Sequence, residues 1–322
     1  MRARPSILIT RPWPDPALGR LRDRYDLHIV PADQPLDRSG LIEAMRQYDA
    51  IGPSVTERID SAILEAPGRR VQILANFGVG HEHIDTSAAR ANGVIVTNTP
   101  GVLTDATADL ALLLMLMVSR RAGEGERMVR AGKWGGWQPT QLMGGDLAGK
   151  LLGIIGFGRI GQATARRACA LGMAIAYTGR RQLTREEIGF DAEFIPEIEQ
   201  LLARADVVSL HCPGGAETRH LIDAARLEQM KPSAILINTA RGSVVDEVAL
   251  AAACASGWIG GAGLDVYERE PHVTEALLPL ENVVLLPHLG SATLETRLAM
   301  AMRAADNLDA FFDGKDPPDR VA

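Results

Sequence analysis

The chain has 322 residues, a length that at about 150 residues per domain favours two domains. Hydrophobic residues make up 46% and charged residues 23%, enough apolar material for a packed core in a soluble protein. A balance of 34 basic against 40 acidic residues, net charge −6, excludes a general nucleic-acid binder, which needs a concentrated basic face.

The longest apolar run, residues 110–118, is far shorter than the roughly 20 residues that span a bilayer, so no membrane partner is expected. Met1-Arg2-Ala3-Arg4-Pro5 leads into a strand-like run instead of a signal-peptide apolar region. Cys169, Cys212 and Cys254, odd in number and far apart, fit neither a disulfide framework nor a zinc ribbon. The expectation is a cytoplasmic protein without a metal. Arginine carries most of the positive charge: lysine occurs only at 133, 150, 231 and 315, and Arg-Arg pairs occur four times. One such pair is therefore weak evidence for a site.

Ile7-Leu8-Ile9 reads as a strand and residues 15–24 as a helix. A strand at His28-Ile29-Val30, a helix over 36–46 and a strand at Ala50-Ile51 follow. Next come a helix over 59–66, a strand over 71–75, a helix over 85–92 and a strand over 94–97. Strands spaced by helical patterns predict parallel βαβ units with right-handed crossovers. Thr99-Pro100-Gly101 ends that series. A long helix over 104–121, apolar over most of its surface, is predicted to lie buried between layers. Residues 130–149 have weak periodicity and carry Trp134 and Trp137, so they read as an exposed arm at an interface. A second α/β series runs from Lys150 to about Pro287. Residues 291–312 form one amphipathic helix, followed by a polar tail, that is expected to return to the first unit.

Leu151-Leu152-Gly153-Ile154-Ile155 is a buried strand that feeds Gly156-Phe157-Gly158-Arg159-Ile160-Gly161 and then a helix and a further strand over 173–177. A GxGxxG alone is weak; between a strand and a helix it is the Rossmann dinucleotide fingerprint. Gly156 makes the tight turn, Gly158 admits the pyrophosphate to the backbone, and Gly161 lets the helix pack on the strand. The helix start supplies N–H groups and positive dipole to the diphosphate. At the end of the next strand, NAD sites place a carboxylate for the ribose 2′-hydroxyl. Here the residues are Thr178-Gly179-Arg180-Arg181. No acid repels a 2′-phosphate and two guanidiniums are placed to bind one, so NADP(H) is preferred over NAD(H).

Three polar groups then stand where apolar runs stop: Arg241 after Ile235–Asn238, Glu270 after the run through Asp265 and Tyr267, and His288 after the run over 283–286. Ligands of open parallel sheets bind outside the carboxyl ends of the strands. An arginine, a carboxylate and a histidine beside a nicotinamide suit reduction of a 2-oxo acid. Arginine holds the substrate carboxylate, and a histidine charged by pairing with the acid donates the proton.

With these residues in view, the chain resembles the D-isomer-specific 2-hydroxyacid dehydrogenases over essentially its whole length. The resemblance rests on Asn76-Phe77-Gly78-Val79-Gly80, Leu103-Thr104-Asp105-Ala106-Thr107-Ala108-Asp109, residues 152–161, and Ala205-Asp206-Val207-Val208-Ser209-Leu210-His211-Cys212-Pro213. It continues in Ile237-Asn238-Thr239-Ala240-Arg241-Gly242 and Pro287-His288-Leu289-Gly290-Ser291-Ala292-Thr293. Within the family, Thr178-Gly179-Arg180 and the Trp134…Trp137-Gln138-Pro139 arm look most like glyoxylate/hydroxypyruvate reductases.

The resemblance implies two doubly wound α/β domains, a Rossmann coenzyme domain inserted into a flavodoxin-like substrate domain. Residues 1–100 and 290–322 would form the substrate domain, and 101–289 the coenzyme domain, with a dimerisation arm at about 123–149. It further implies His288 as general acid/base, Glu270 as its partner and Arg241 as substrate anchor. Val79 and Gly80 amides would bind the substrate carboxylate in a cleft between the domains. Thr104, Cys212, Pro213, Thr218, Thr239, Ala240 and Gly290 would line the cofactor cleft with the GxGxxG loop, and Asp265 would contact the nicotinamide carboxamide. Family members are usually dimers joined through the coenzyme domain, so Trp137 would reach towards a partner's site.

Two segments depart from the family pattern: Gly214-Gly215-Ala216-Glu217-Thr218, where a bulky apolar residue and a proline are common, and His81-Glu82-His83 in the substrate loop. The two histidines, spaced i and i+2 without a third ligand, do not make a metal site. His211 reads as a satisfied structural histidine, His28, His220 and His272 as surface residues, and Cys169 and Cys254 as core. The expected activity is NADPH-dependent reduction of glyoxylate, hydroxypyruvate or a similar short 2-oxo acid to the D-hydroxy acid. Alternatives are a broader 2-ketoacid reductase and a dinucleotide-sensing, corepressor-like binding protein.

Overall fold

The computed structural model describes residues 4–322; Met1-Arg2-Ala3 of the lead-in read above lie outside the described residues. The chain divides into two compact units, Met1–Leu103 with Ala292–Ala322, and Thr104–Ser291.

The first unit is built on five parallel strands, β1 (Ser6–Ile9), β2 (Asp26–Ile29), β3 (Ala50–Gly52), β4 (Ile73–Ala75) and β5 (Ile95–Thr97), in the order β2-β1-β3-β4-β5. That is the flavodoxin-like order. β3 and β4 are buried at every position, as strands covered on both faces must be, which is why they read as unbroken apolar runs. Asp37, Asp60 and Asp85 each accept a backbone N–H at a helix start, and these caps make the helices shorter than their apolar patterns. The one predicted over 59–66 is the single turn Ser61–Leu64.

The closing helix, Leu294–Phe312, starts three residues later than its pattern because Thr293 caps it through the Thr296 N–H. Met300, Ala301, Ala304, Ala305 and Leu308 pack against Ile7, Ile9, Leu18 and Ile73 of the first sheet and its flanking helix. Asp309, nearly buried, accepts from the Tyr25 hydroxyl at 2.6 Å and from Arg20 Nε at 3.0 Å. The polar tail is not a loose end. Val321 N–H donates to Val96 O, and Arg320 bridges Thr97 antiparallel.

Seven parallel strands form the second unit: β6 (Leu151–Ile155), β7 (Ala174–Thr178), β8 (Glu193–Phe194), β9 (Val207–Leu210), β10 (Ile235–Asn238), β11 (Gly261–Leu264) and β12 (Val283–Leu285). Their order is β12-β11-β10-β9-β6-β7-β8, so the direction of winding reverses between β6 and β9. This reversal is the switch point at which doubly wound sheets open a ligand crevice.

The long helix is Thr104–Ser119, and it is not buried all round. Thr107, Ala108, Ala111, Leu114, Met115 and Val118 face inward, while Leu113 and Leu116 remain exposed. It approaches β11 closely because that strand is Gly-Ala-Gly-Leu. A Cβ on Gly263 would lie 3.0 Å from Leu114 Cβ, and one on Gly261 3.1 Å from Val118 Cγ1. The segment 123–149, expected as an arm, begins within a helix, Ala122–Arg130, before an irregular stretch that exposes Trp134 and Trp137. Gly123 and Gly125 weaken the local helical signal by about 1 kcal/mol each, and Arg127 on this helix pairs with Glu281.

Leu308 is fully buried on the first sheet. Leu308→Ala is expected to destabilise that unit by about 2–5 kcal/mol. Urea unfolding followed by circular dichroism should show a lower first midpoint with its slope unchanged.

Candidate active site

The loop after β6 has the form of a diphosphate cradle, and its three glycines are required for different reasons. Gly156 sits at φ +93°, and a Cβ there would fall 2.5 Å from Cys212 N. A Cβ on Gly161 would fall 2.4 Å from Gly156 O. At Gly158 nothing lies within 4 Å of the added atom, so this face of the loop is open. Gly158 also caps the twelve-residue helix Arg159–Ala170 without any side-chain acceptor, leaving the N–H groups of the first turn to a ligand.

Thr239 Oγ1, buried at the end of β10, has no protein partner among the described residues. An open glycine, an uncapped helix start and an unpartnered hydroxyl suit a dinucleotide. Burial pushes the Cys212 thiol up to about 11, so it is a neutral wall. Ala240 N–H is held by Asn238 Oδ1 at 3.0 Å, and the Thr218 hydroxyl donates to Pro213 O at 2.7 Å.

The loop after β7 is tied to the same cradle. Gly156 N–H donates to Thr178 O, Gly179 lies against Phe157, and Phe157 stacks on Tyr177 with ring centroids 4.0 Å apart. The Tyr177 hydroxyl accepts from Leu183 N–H at 2.7 Å and closes the loop. The expected arginine pair is split. Arg181 Nη2 donates to Glu187 Oε1 at 2.6 Å and Nη1 to Oε2 at 3.1 Å, whereas Arg180 is exposed with no partner among the described residues. Thr178 Oγ1 is occupied by Pro196 O at 3.2 Å.

The three groups expected for chemistry follow β10, β11 and β12. His288 Nδ1 lies 2.8 Å from Glu270 Oε2, and Glu270 Oε1 accepts from Tyr267 N–H at 3.1 Å. Burial pushes the Glu270 carboxyl up, but the hydrogen bond and charge of His288, the Tyr267 N–H and the Arg241 charge outweigh it. The carboxyl is therefore held below its ordinary value and stays ionised. Arg241 donates from Nη1 to Ala240 O at 2.7 Å, and its own carbonyl accepts from Asn238 Nδ2 at 2.9 Å. Glu268 turns away from the histidine to Arg219 and His220, at 2.7 and 3.0 Å, so His220 is a paired residue and not a bare surface one.

Asp265 does more than its expected nicotinamide contact implies. It is almost completely buried, and its two oxygens accept Leu289 N–H at 2.6 Å and Gly290 N–H at 2.8 Å. Its carbonyl accepts His288 N–H at 2.9 Å. His288 has φ +55°, a left-handed conformation uncommon for residues other than glycine, and this triple hold maintains it.

Gly242 joins the arginine and carboxylate loops, since a Cβ there would sit 1.8 Å from the Tyr267 carbonyl carbon. On the other side, a Cβ on Gly214 would press on Arg241 Cγ at 3.0 Å, so the departure at Gly214-Gly215 leaves room for the arginine stem. Asn238, Gly242 and Tyr267, whose hydroxyl donates to Leu286 O at 2.8 Å, escaped sequence reasoning. The available signal was an asparagine closing a wholly apolar strand, which must spend its amide on neighbouring backbone.

In the first unit, the loop after β4 has its carbonyls pinned. Asn76 Nδ2 donates to Gly78 O and Gly80 O at 3.1 and 2.9 Å, and Asn98 Nδ2 donates to Val79 O at 2.8 Å. The Val79 and Gly80 N–H groups donate to nothing among the described residues. His83 Nε2 meets Asn76 Oδ1 at 3.0 Å, and no cluster of three or more His, Cys, Asp or Glu side chains suited to a metal occurs among the described residues.

His211 is only half satisfied, with Ser209 Oγ at 2.9 Å from Nε2 and a buried, unpartnered Nδ1; burial lowers its pKa to about 4. All three cysteines are free thiols, with Cys254 buried and Cys169 only partly so. No helix among the described residues is long and apolar enough to cross a membrane. Trp137 is 79% exposed.

Residues 112–290 match the model of the D-isomer specific 2-hydroxyacid dehydrogenase NAD binding domain. A glyoxylate reductase of Thermococcus litoralis is 46% identical over 99% of this chain and 97% of its own length. Among solved structures, a glyoxylate reductase from Paecilomyes thermophila superposes with a TM-score of 0.88 at 33% identity, covering all of this chain and 99% of its own. The NADPH-dependent glyoxylate/hydroxypyruvate reductase of Sinorhizobium meliloti, solved with NADP and malonate, gives 0.87 at 37% identity over 99% of this chain and 97% of its own. The chain belongs to the D-isomer specific 2-hydroxyacid dehydrogenases and is an NAD(P)-dependent enzyme of that family.

Proposed function

We propose that this enzyme reduces glyoxylate, hydroxypyruvate or a similarly short 2-oxo acid to the D-2-hydroxy acid, with NADP(H) preferred over NAD(H). The observation that carries the reading is the His288–Glu270 pair, at 2.8 Å, with the histidine held in a left-handed turn by Asp265. The names of the relatives support the substrate class, and the absence of an acid at the end of β7 supports the cofactor preference.

When bound, the reduced nicotinamide supplies the hydride. Gly156, Gly158 and Gly161, with the first turn begun by Arg159 and Ile160, would hold its diphosphate, and Arg180 its 2′-phosphate. Thr104, Thr178, Gly179, Cys212, Pro213, Thr218, Thr239, Ala240, Asp265 and Gly290 complete the proposed cofactor set.

Glu270 engages His288 through Nδ1, which leaves Nε2 to present the proton that moves to the substrate oxygen. Arg241 binds the substrate carboxylate and polarises the carbonyl. In the first unit, the Val79 and Gly80 N–H groups, which donate to nothing among the described residues, are further donors that this reading assigns to substrate. A homodimer joined through residues 123–149 belongs to the same reading. Val129, Trp134, Trp137 and Met143 expose apolar surface there, more than isolated exposed residues explain.

Loss of NADPH and NADH absorbance should be followed in parallel with glyoxylate, hydroxypyruvate and pyruvate. Turnover with the first two and higher kcat/KM with NADPH are expected. Faster pyruvate turnover would favour a broader 2-ketoacid reductase, and cofactor binding without any turnover a sensor.

His288→Ala should lower kcat by about 10²–10⁴-fold, the scale of lost general-acid catalysis, with NADPH affinity nearly unchanged. Retention of most activity would remove the histidine from its role. Glu270→Gln should move the alkaline limb of kcat/KM for reduction to lower pH, because the protonated imidazole loses its anionic partner. An unmoved limb would make Glu270 structural. Light scattering should return about twice the chain mass of 34.6 kDa, and a monomeric mass would remove the dimer from the reading.

A further inference from the structure

Arg181 is the one member of the strand-end pair that is already engaged. Glu187 holds its guanidinium through both carboxylate oxygens, and Oε2 also accepts the Thr184 N–H at 2.8 Å in a reciprocal capping box. The carboxylate is fixed by three bonds from two directions. Its Arg181 and Thr184 partners hold its pKa at about 2, so the charge persists at any working pH. The neighbouring Arg185 is spoken for by Asp191 at 3.2 Å. Of the positive groups on this loop, only Arg180 has no anionic partner among the described residues. The loop itself is anchored to the cradle by the Gly156–Thr178 bond at one end and closed onto β7 by the Tyr177–Leu183 bond at the other.

We propose that Glu187 limits discrimination between 2′-phosphorylated and unphosphorylated dinucleotides, by holding Arg181 in a fork that leaves the 2′-phosphate to Arg180 alone. This rests on the NADP(H) reading above. An unengaged Arg181 would add a second guanidinium to the loop that carries Arg180, whereas an Arg181 neutralised by Glu187 contributes little net field to a phosphate there. Glu187 is a specificity-determining residue that touches neither hydride nor substrate.

Calorimetric titration of the full chain with adenosine 2′,5′-bisphosphate and with 5′-AMP isolates the 2′-phosphate, the single group by which they differ. Glu187→Gln removes the charge yet keeps an acceptor for Thr184 N–H. The affinity ratio, bisphosphate over monophosphate, should then rise roughly three- to tenfold, the scale of one added charge-assisted bond at an exposed site. Arg181→Ala alone leaves the Glu187 charge without its partner and should lower the ratio by a similar factor, and combined with Glu187→Gln it should cancel the gain. A ratio that stays level or falls in Glu187→Gln overturns the proposal, as does a gain that survives loss of Arg181. Arg180→Ala separates the two claims, because it should bring the ratio close to one. Should it fail to, the NADP(H) reading falls and the proposal with it; should it succeed while Glu187→Gln does nothing, only Glu187 loses its role.

Discussion

The geometry of the candidate site in the second unit depends on one buried carboxyl group. Asp265 is almost wholly enclosed, yet both its oxygens and its carbonyl are spent on the backbone of three consecutive residues, His288, Leu289 and Gly290. A histidine at φ +55° costs of order 1–3 kcal/mol unless its surroundings over-determine it. Three hydrogen bonds from one residue provide that determination. The result is an imidazole whose Nδ1 faces Glu270.

The neighbouring loops are fixed by close approach. Gly242 lies so tightly on Tyr267 that the loops carrying Arg241 and Glu270 meet backbone to backbone, with no room for a side chain between them. Asn238, buried at the end of β10, spends its amide on Ala240 N–H and Arg241 O and so shapes the turn between them. On the reverse face, Gly261 and Gly263 allow the helix Thr104–Ser119 to seat against β11, the strand that leads to Asp265. A net charge of −6 does not oppose binding of anions in such a framework. Field at a site is set by nearby groups, since exposed charges beyond about 8–10 Å are screened at physiological salt.

Features whose cause lies within a few residues were legible in the sequence. The GxGxxG loop is one, because Gly156 and Gly161 answer to contacts inside a single strand–turn–helix unit. Alternating runs and helices revealed two parallel sheets for the same reason. Roles that depend on distant backbone were hidden. Nothing near Asp265 announces that its partners are amides 24 and 25 residues further on. The engagement of Arg181 was within reach, since Thr184-Arg185-Glu186-Glu187 has the spacing of a capping box that brings a glutamate back towards the loop. Counting arginines alone passed over it. The exposed side of Thr104–Ser119 misled in another way, because Leu113 and Leu116 carry no mark to distinguish a solvent-facing leucine from a buried one.

Glu270 and Asp265 stand five positions apart in one loop and are driven in opposite directions. For Asp265 burial prevails over the Leu289 and Gly290 N–H bonds and the charge of His288, and its pKa is raised. For Glu270 burial is outweighed by His288, and its pKa is lowered. The signs then separate on linkage. The depressed group contributes stability above its ordinary value of 4.5 and loses it as the pH falls through the lowered one. The raised group favours folding when it is protonated, and that contribution fades as the pH rises through its raised value. Environments that push two carboxyls apart assign them different work. Glu270, ionised and hydrogen-bonded, fixes the Nδ1 side of a histidine. Asp265, withdrawn from solvent and bonded to amides, serves as the clamp that sets where that histidine stands.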